Sequence, residues 1–556
     1  MRNLFQLLPL VITAVIACPL PGPTLPQPKD LVRSSILSTA LKNLTATLDS
    51  AVAGDIDPGF QVNITSFSIV LNDAHNQLWE YHHTAETTTN GTHSVNASSQ
   101  YRIGSVSKVF TDLLLLRLNL DLGDKITKYL PGLNEGNGTI EWDRVTLRDL
   151  GSHMSGVQAN YGFLEDYVAE KQYEQFGFAP QDPDSYSLCG VAGLRPEPCT
   201  EELVVEGLSN SHAIFPLHSK PAYSNIAFAL LGYVVRNVTG LSFEDAMRKH
   251  LTAPMGMNRT TFSPISEGDM VIPPSPDALW STDLGANNPG GGAYSTAHDM
   301  AILLRAILSS DSDLLPQATI NEWLQPVTFG SEINSAVGFP WEITRTSKLS
   351  PIRIVDLYNK DGALPGYSSI FSLIPSSDIG FAIFVGDGDL VSMAPYVLAE
   401  ALLASVFPAV DEATRLEVVD TGYTGNFSAG NSSIQLVMGE GGNGLLVEKW
   451  LSRGVDLLAL SNSPGSNTTF RLYPSELVTV DGDTEEEVWR VLFETPGLPR
   501  PELESEGVFA SDCASWGQPG RLLYNGQQAD RLVVTKRNGT VESLEFPVLG
   551  VVMKKE

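Results

Sequence analysis

Ser105 and Lys108 stand three residues apart in Ser105-Val106-Ser107-Lys108. On a helix, three steps of ~100° and ~1.5 Å place both side chains on one face and on adjoining turns, so the amine can touch the hydroxyl. A serine hydroxyl is a poor nucleophile until a base takes its proton, and a lysine stripped of water tunes that step. The same four residues also read as a helix cap followed by a surface lysine. Asp112, one turn beyond Lys108, offers that lysine a plain ion pair instead.

Two further clusters carry polar groups at useful spacings. In Tyr223-Ser224-Asn225 an extended chain points the phenol and the amide the same way, toward one cleft, although a core aromatic followed by a helix N-cap fits as well. In Lys360-Asp361-Gly362-Ala363 a cation precedes a glycine that leaves room for close backbone approach, although Asp-Gly is also an ordinary turn.

The elements that must hold these residues are legible in outline. Val106 to Leu118 reads as an amphipathic helix, with apolar residues at Val106, Val109, Phe110, Leu113 and Leu114. Ile226 to Val235 reads as another, directly after Asn225. Strands are expected at Ile64 to Leu71 and Gln77 to Tyr81, split by the turn-forming Asn72 to Asn76. More strands are expected at Arg353 to Tyr358, Ser368 to Leu373 and Gly380 to Val385, with a turn at Pro375 to Asp378. A helix from Met393 to Phe407 closes the unit. After Arg415 short β-type runs such as Ile434 to Met438 and Gly444 to Trp450 imply a separate small β domain. Gln172 to Thr200, rich in Gly, Pro and Asp, reads as a long surface insertion.

Tyr101-Arg102-Ile103-Gly104-Ser105-Val106-Ser107-Lys108-Val109-Phe110-Thr111 resembles the nucleophile helix of serine β-lactamases, penicillin-binding proteins and related esterases. Thr146 to Gly156 and Gly290 to Met300 resemble later segments of that family, Tyr223-Ser224-Asn225 its Tyr-x-Asn motif and Lys360-Asp361-Gly362 its Lys-Thr-Gly. The resemblance runs from about residue 60 to 410 and implies an α/β (α+β) fold, an antiparallel sheet with an all-helical subdomain. The tail is similar to the lipocalin-like β modules of some relatives. It further implies Ser105 as nucleophile, Lys108 and Tyr223 as proton-transfer partners, Asn225 and Lys360 as substrate-binding groups, and the N–H groups of Ser105 and Ala363 as an oxyanion hole beside Gly362. Asp361 stands where the family has threonine, which argues against holding a substrate carboxylate and for neutral esters over cephalosporins.

Met1 to Ala17 carries one positive charge, an apolar run and small residues at its end, the pattern of a secretory signal peptide cleaved after Ala17 or Cys18. The expected division is thus 1–17 signal, 18–415 hydrolase domain and 416–556 β domain. Asn-x-Ser/Thr sequons at Asn43, Asn63, Asn90, Asn96, Asn137, Asn237, Asn258, Asn426, Asn431, Asn467 and Asn538 fit a secreted glycoprotein. In that oxidising setting, Cys189 and Cys199 are expected to pair across a short loop and Cys18, if kept, with Cys513.

A formal charge of −29 repels phosphate backbones, which argues against a nucleic-acid partner. The cysteine spacings match no zinc pattern, and His-Glu-x-x-His, a P-loop and Gly-x-Ser-x-Gly do not occur, so neither a metal nor another cofactor is implied. The function expected is hydrolysis of an ester, amide or D-amino-acid peptide through an acyl-enzyme. A transacylase of the same fold and an inactive binding glycoprotein are the alternatives.

Overall fold

Thr65–Asn72 and Ile379–Asp387 are buried at every position, as strands covered on both faces must be. They are adjacent inner strands of the main sheet in a computed structural model that describes residues 20–161, 174–179, 199–309, 313–350, 353–389, 392–439, 443–461, 468–494 and 515–556. Expectations for the signal peptide, for most of the Gln172 to Thr200 insertion and for Cys18, Cys189 and Cys513 fall outside these residues. The chain divides into two compact units. One holds Ser38–Thr346 and Asp356–Phe407; the other holds Pro408–Glu556, Ser347–Val355 and the N-terminal stretch up to Leu37.

In the first unit the strands are β1 (Thr65–Asn72), β2 (Gln77–His83), the short β3 (Tyr101–Arg102) and β4 (Tyr294–Ser295), β5 (Thr328–Phe329), β6 (Ser335–Val337), β7 (Glu342–Thr346), β8 (Val355–Leu364), β9 (Tyr367–Ile374) and β10 (Ile379–Asp387). Eight of them form one sheet in the order β2-β1-β10-β9-β8-β7-β6-β5, while β3 and β4 pair separately. α1 (Ser35–Val52) covers β2, where Trp79 and Tyr81, two residues apart on one face, bond to Thr45 and Asp49. The helix Ala297–Leu308 packs on β1 and β10. α2 (Ser107–Arg117) is buried from Ser107 to Leu115 and packs against the helix Ile226–Thr239, also buried through Val235. Helices, sheet and their common core form the β-lactamase/transpeptidase-like arrangement expected from the sequence.

Two boundaries differ from expectation, and the alternative left open at Asn225 is decided. β8 runs on through Gly362 to Leu364, so Asp361-Gly362 is strand rather than turn, and the reversal falls at Pro365-Gly366, with Gly366 at φ +83°. Tyr223-Ser224-Asn225 leads into its helix without using Asn225 as a side-chain cap. The helix expected to stop at Phe407 is instead continuous over Ala394–Thr421, with Pro408 inside it, and carries the chain across residues 415 and 416. Composition could not mark that end, because the charged residues 411–417 are as compatible with a helix as with a linker. By length and composition the helix is apolar enough to cross a membrane, but half of its most apolar window is packed inside the protein.

The second unit is a barrel. Its strands are β11 (Gly425–Ala429), β12 (Ser432–Met438), β13 (Leu445–Ser452), β14 (Val455–Asp456), β15 (Thr469–Asp481), β16 (Thr484–Glu494), the small hairpin β17 (Leu523–Tyr524) and β18 (Gln527–Gln528), β19 (Arg531–Arg537), β20 (Thr540–Phe546) and β21 (Val551–Lys555). The order β12-β11-β21-β20-β19-β16-β15-β13 closes through an antiparallel β12–β13 pairing, giving eight strands, with β14 added on β13. Phe427, Leu436, Trp489 and Leu544 help to fill the interior, as side chains do in small barrels. The N-terminal stretch contributes Leu25 to this core.

Candidate active site

Ser105 follows Gly104 in a 3-10 turn that opens α2. Gly104 takes φ +50°, and a side chain there would press on the Ala363 amide, 2.7 Å from the position of its Cβ. Across the gap, a Cβ on Gly362 would collide with the Ile103 carbonyl. These two glycines let β8 approach the turn edge-on, and the Ser369 hydroxyl fastens it by donating to the Ile103 carbonyl at 2.8 Å. Ala363 is exposed and Ser105 half-buried at this junction. The sequence placed both at one site, and the Ala363 amide lies against Gly104, the residue before Ser105.

Lys108, one turn along α2, is wholly buried. Its Nζ donates to the Ser105 Oγ at 3.2 Å, the Asn225 Oδ1 at 2.7 Å and the Gly290 carbonyl at 2.5 Å. The alternative ion pair does not form: Asp112 is buried with no partner for either carboxyl oxygen among the described residues, and burial raises its pKa well above the usual carboxylate range. Burial likewise pulls the Lys108 ammonium below the ordinary lysine value, and Lys360 adds to that.

Tyr223 lies between the two lysines, with Lys108 Nζ 4.9 Å and Lys360 Nζ 5.3 Å from its ring centre. Desolvation pushes the phenol up, but the two ammonium groups outweigh it and leave its pKa below that of a free tyrosine. The residue remains 41% exposed, so solvent reaches it.

The shelf beneath Tyr223 was not found from sequence. His153, at φ +62°, stacks on the Tyr223 ring at 4.5 Å between centres. Its Nδ1 accepts the Ser224 N–H at 3.1 Å, and its carbonyl accepts the Ala222 N–H at 2.8 Å. Burial, then Lys108 and Lys360, hold the imidazole well below its usual pKa, so it stays neutral. Asn160 completes the shelf by accepting an N–H of the Asn225 amide at 2.9 Å, which turns Asn225 Oδ1 toward Lys108. A reader of the sequence had one signal for His153, its place in the family-like segment Thr146 to Gly156.

Lys360 is also buried, and its Nζ donates to Glu342 Oε1 at 2.6 Å and to the Asp361 carbonyl at 2.9 Å. Burial opposes its charge, yet Glu342, with Tyr223 and Asp361, more than offsets this and raises its pKa. Asp361, where the family has threonine, has a partner of its own. One residue along the strand from Lys360, its carboxylate accepts from the Tyr396 hydroxyl at 2.8 Å, on the side where the long helix begins. The acid that meets Lys360 is therefore Glu342, on β7, a partner that only strand pairing brings near.

The family model described as Beta-lactamase matches residues 69–402. The chain belongs to the β-lactamase family. A second family model, described as Beta-lactamase-like-like, C-terminal domain, matches 416–556. The chain is 35% identical over 593 residues to a "Beta-lactamase-like protein" of Arthroderma benhamiae, covering 99% of each. It is 28% identical over 527 residues to the "Probable hydrolase M10" of Phoma sp., covering 88% of this chain and 84% of the relative. Among solved structures, a β-lactamase/D-alanine carboxypeptidase from Yersinia pestis matches with a TM-score of 0.50 at 21% identity, over 66% of this chain and 99% of its own, a likeness of fold. This β-lactamase-family chain thus has the hydrolase fold of its relatives.

Proposed function

We propose that the protein is a secreted serine hydrolase that cleaves esters, amides or D-amino-acid peptides through an acyl-enzyme. The observation that carries the reading is the contact of a buried, desolvated Lys108 with the Ser105 hydroxyl, beside a tyrosine whose ionised form two ammonium groups favour. In this mechanism the Tyr223 phenolate takes the Ser105 proton as Oγ forms its bond to the substrate carbonyl carbon. The resulting oxyanion meets the N–H groups of Ser105 and Ala363. Tyr223 then returns the proton to the departing oxygen or nitrogen as that bond breaks, and water releases the acyl group by the same steps. Asn225 keeps Lys108 in place with its carbonyl.

Secretion rests on the N-terminal apolar leader and on the sequons: all ten that fall in the described residues have exposed asparagines, the accessibility that a glycan requires. The Cys189–Cys199 bridge belongs to the same reading.

The test is covalent labelling with a fluorophosphonate, combined with turnover of activated esters. Labelling of the purified protein that is lost in Ser105→Ala supports the mechanism, and unchanged labelling in that variant overturns it. Adding amines and alcohols to the assay separates a hydrolase from a transacylase, because only the latter yields mainly the transfer product.

A further inference from the structure

Lys360 is one of the two cations that flank Tyr223, yet its charge is not open to an incoming group. The side chain is 1% exposed, and Glu342 holds its ammonium at 2.6 Å. The other oxygen of Glu342 accepts the Asp361 N–H at 3.0 Å, so the carboxylate is fixed at both ends. Glu342 is itself 41% exposed and presents its charge to solvent beside the lysine. Two ammonium groups, Lys108 and Lys360, are therefore matched by Glu342 and, in the reactive state, by ionised Tyr223. A substrate carboxylate arriving here meets no surplus positive charge and must also approach an anion fixed in place. A repulsive element of this kind discriminates as effectively as an attractive one.

We infer that Glu342 sets the substrate class of the Ser105 site, favouring esters and amides with an uncharged leaving group over those that carry a carboxylate there. The inference rests on the catalytic reading proposed above. It gives the selective role to Glu342 and not to Asp361, whose carboxylate is taken up by Tyr396.

A matched pair of esters tests it: phenyl phenylacetate and its meta-carboxyphenyl counterpart share the acyl group and the bond to be broken, and differ in one carboxylate. The quantity measured is the ratio of kcat/KM for the charged ester to that for the neutral one. Glu342→Gln keeps the shape and removes the charge, and it is expected to raise this ratio roughly tenfold. Asp361→Asn is expected to move it less than twofold. Because the ratio is internal to each variant, a partial loss of folded protein cancels. A ratio unmoved by E342Q, or moved more by D361N, overturns the inference. Ser105→Ala separates the two levels of the argument. If that variant still hydrolyses both esters, the catalytic reading falls and the inference with it; if it hydrolyses neither while E342Q leaves the ratio unmoved, the inference alone is wrong.

Discussion

The Ser105 proton and the charge on Tyr223 are coupled through Lys108, which touches the serine and faces the phenol. In the proposed mechanism only ionised Tyr223 accepts that proton, so acylation should rise with pH through the phenol's pKa, on a limb lying below the 10 of a free tyrosine. Tyr223→Phe should abolish the limb, and it and Lys108→Ala should each lower kcat by roughly 100-fold or more, while the double variant is little worse than the poorer single one. Stopped-flow acylation against pH checks both points. His153 acts on Tyr223 through packing and the Ser224 N–H, and an asparagine there would tolerate the left-handed backbone and offer an equivalent acceptor. His153→Ala should therefore lower kcat about tenfold with little change in KM, and His153→Asn should recover most of it. Steady-state kinetics of the two variants decide this, and the pH profile around neutrality should keep its wild-type shape, since burial and the two lysines hold the imidazole well below its usual pKa. Ser105, Lys108, Tyr223 and Lys360 were legible because each sits in a short local pattern. His153, Asn160 and Glu342 were not, because each acts across 18 or more residues, through a stack or a strand pairing that spacing does not reveal.

β1 was readable from alternation of polar and apolar residues and β10 from a nearly continuous apolar run, and the turn between β9 and β10 was readable from Pro375-Ser376-Ser377-Asp378. Less visible was the length of β8, since a polar stretch of Asn, Lys, Asp and Gly carries none of the β-branched residues that mark strands. It is held as a strand by β9 and by the contact of its glycine with the turn before Ser105. The β9–β10 turn carries its own consequence. Asp378 closes it at φ +51°, buried, with its pKa raised to about 8 by burial and then by Asp73. An unfolded aspartate ionises near 3.9, so between roughly pH 4 and 8 the unfolded state is ionised while the folded one is not, and stability falls as pH rises through that window. Asp378→Asn keeps the left-handed turn and removes the proton. It should flatten that decline and stabilise the protein at pH 8 by on the order of 2 kcal/mol, with little effect at pH 4. Urea melts at the two pH values measure the difference.

The barrel unit is assembled from distant parts of the chain, Pro408–Glu556 together with Ser347–Val355 and the N-terminal stretch up to Leu37. Lys29 and Asp30 donate their backbone N–H groups to the two oxygens of Glu417, and Lys29 Nζ reaches Glu485 at 2.8 Å. Glu485 in turn meets Lys536 at 3.0 Å, and Lys536 donates to Glu487 at 2.5 Å. Glu487 also accepts from the Tyr423 hydroxyl and the Trp489 indole. A run of alternating charges thus passes from the exposed N-terminal stretch into the barrel wall, where Lys536 and Glu487 are 3% and 7% exposed. Charges at that depth are costly to leave single, and less costly to remove together. Lys536→Met should consequently destabilise the barrel by about 3–5 kcal/mol, because Glu487 loses its countercharge and keeps only two neutral donors. Glu487→Leu in the same chain should recover much of that loss, giving a coupling energy of roughly 2 kcal/mol or more in the double-mutant cycle. Calorimetry supplies the unfolding energies, and the fluorophosphonate reports separately on Ser105, which belongs to the other compact unit. The expected result is a lowered barrel transition in Lys536→Met with Ser105 still labelled below it. Additive single and double effects would show that the pair does not work as one, and loss of labelling at temperatures where the barrel is folded would tie it to the catalytic unit.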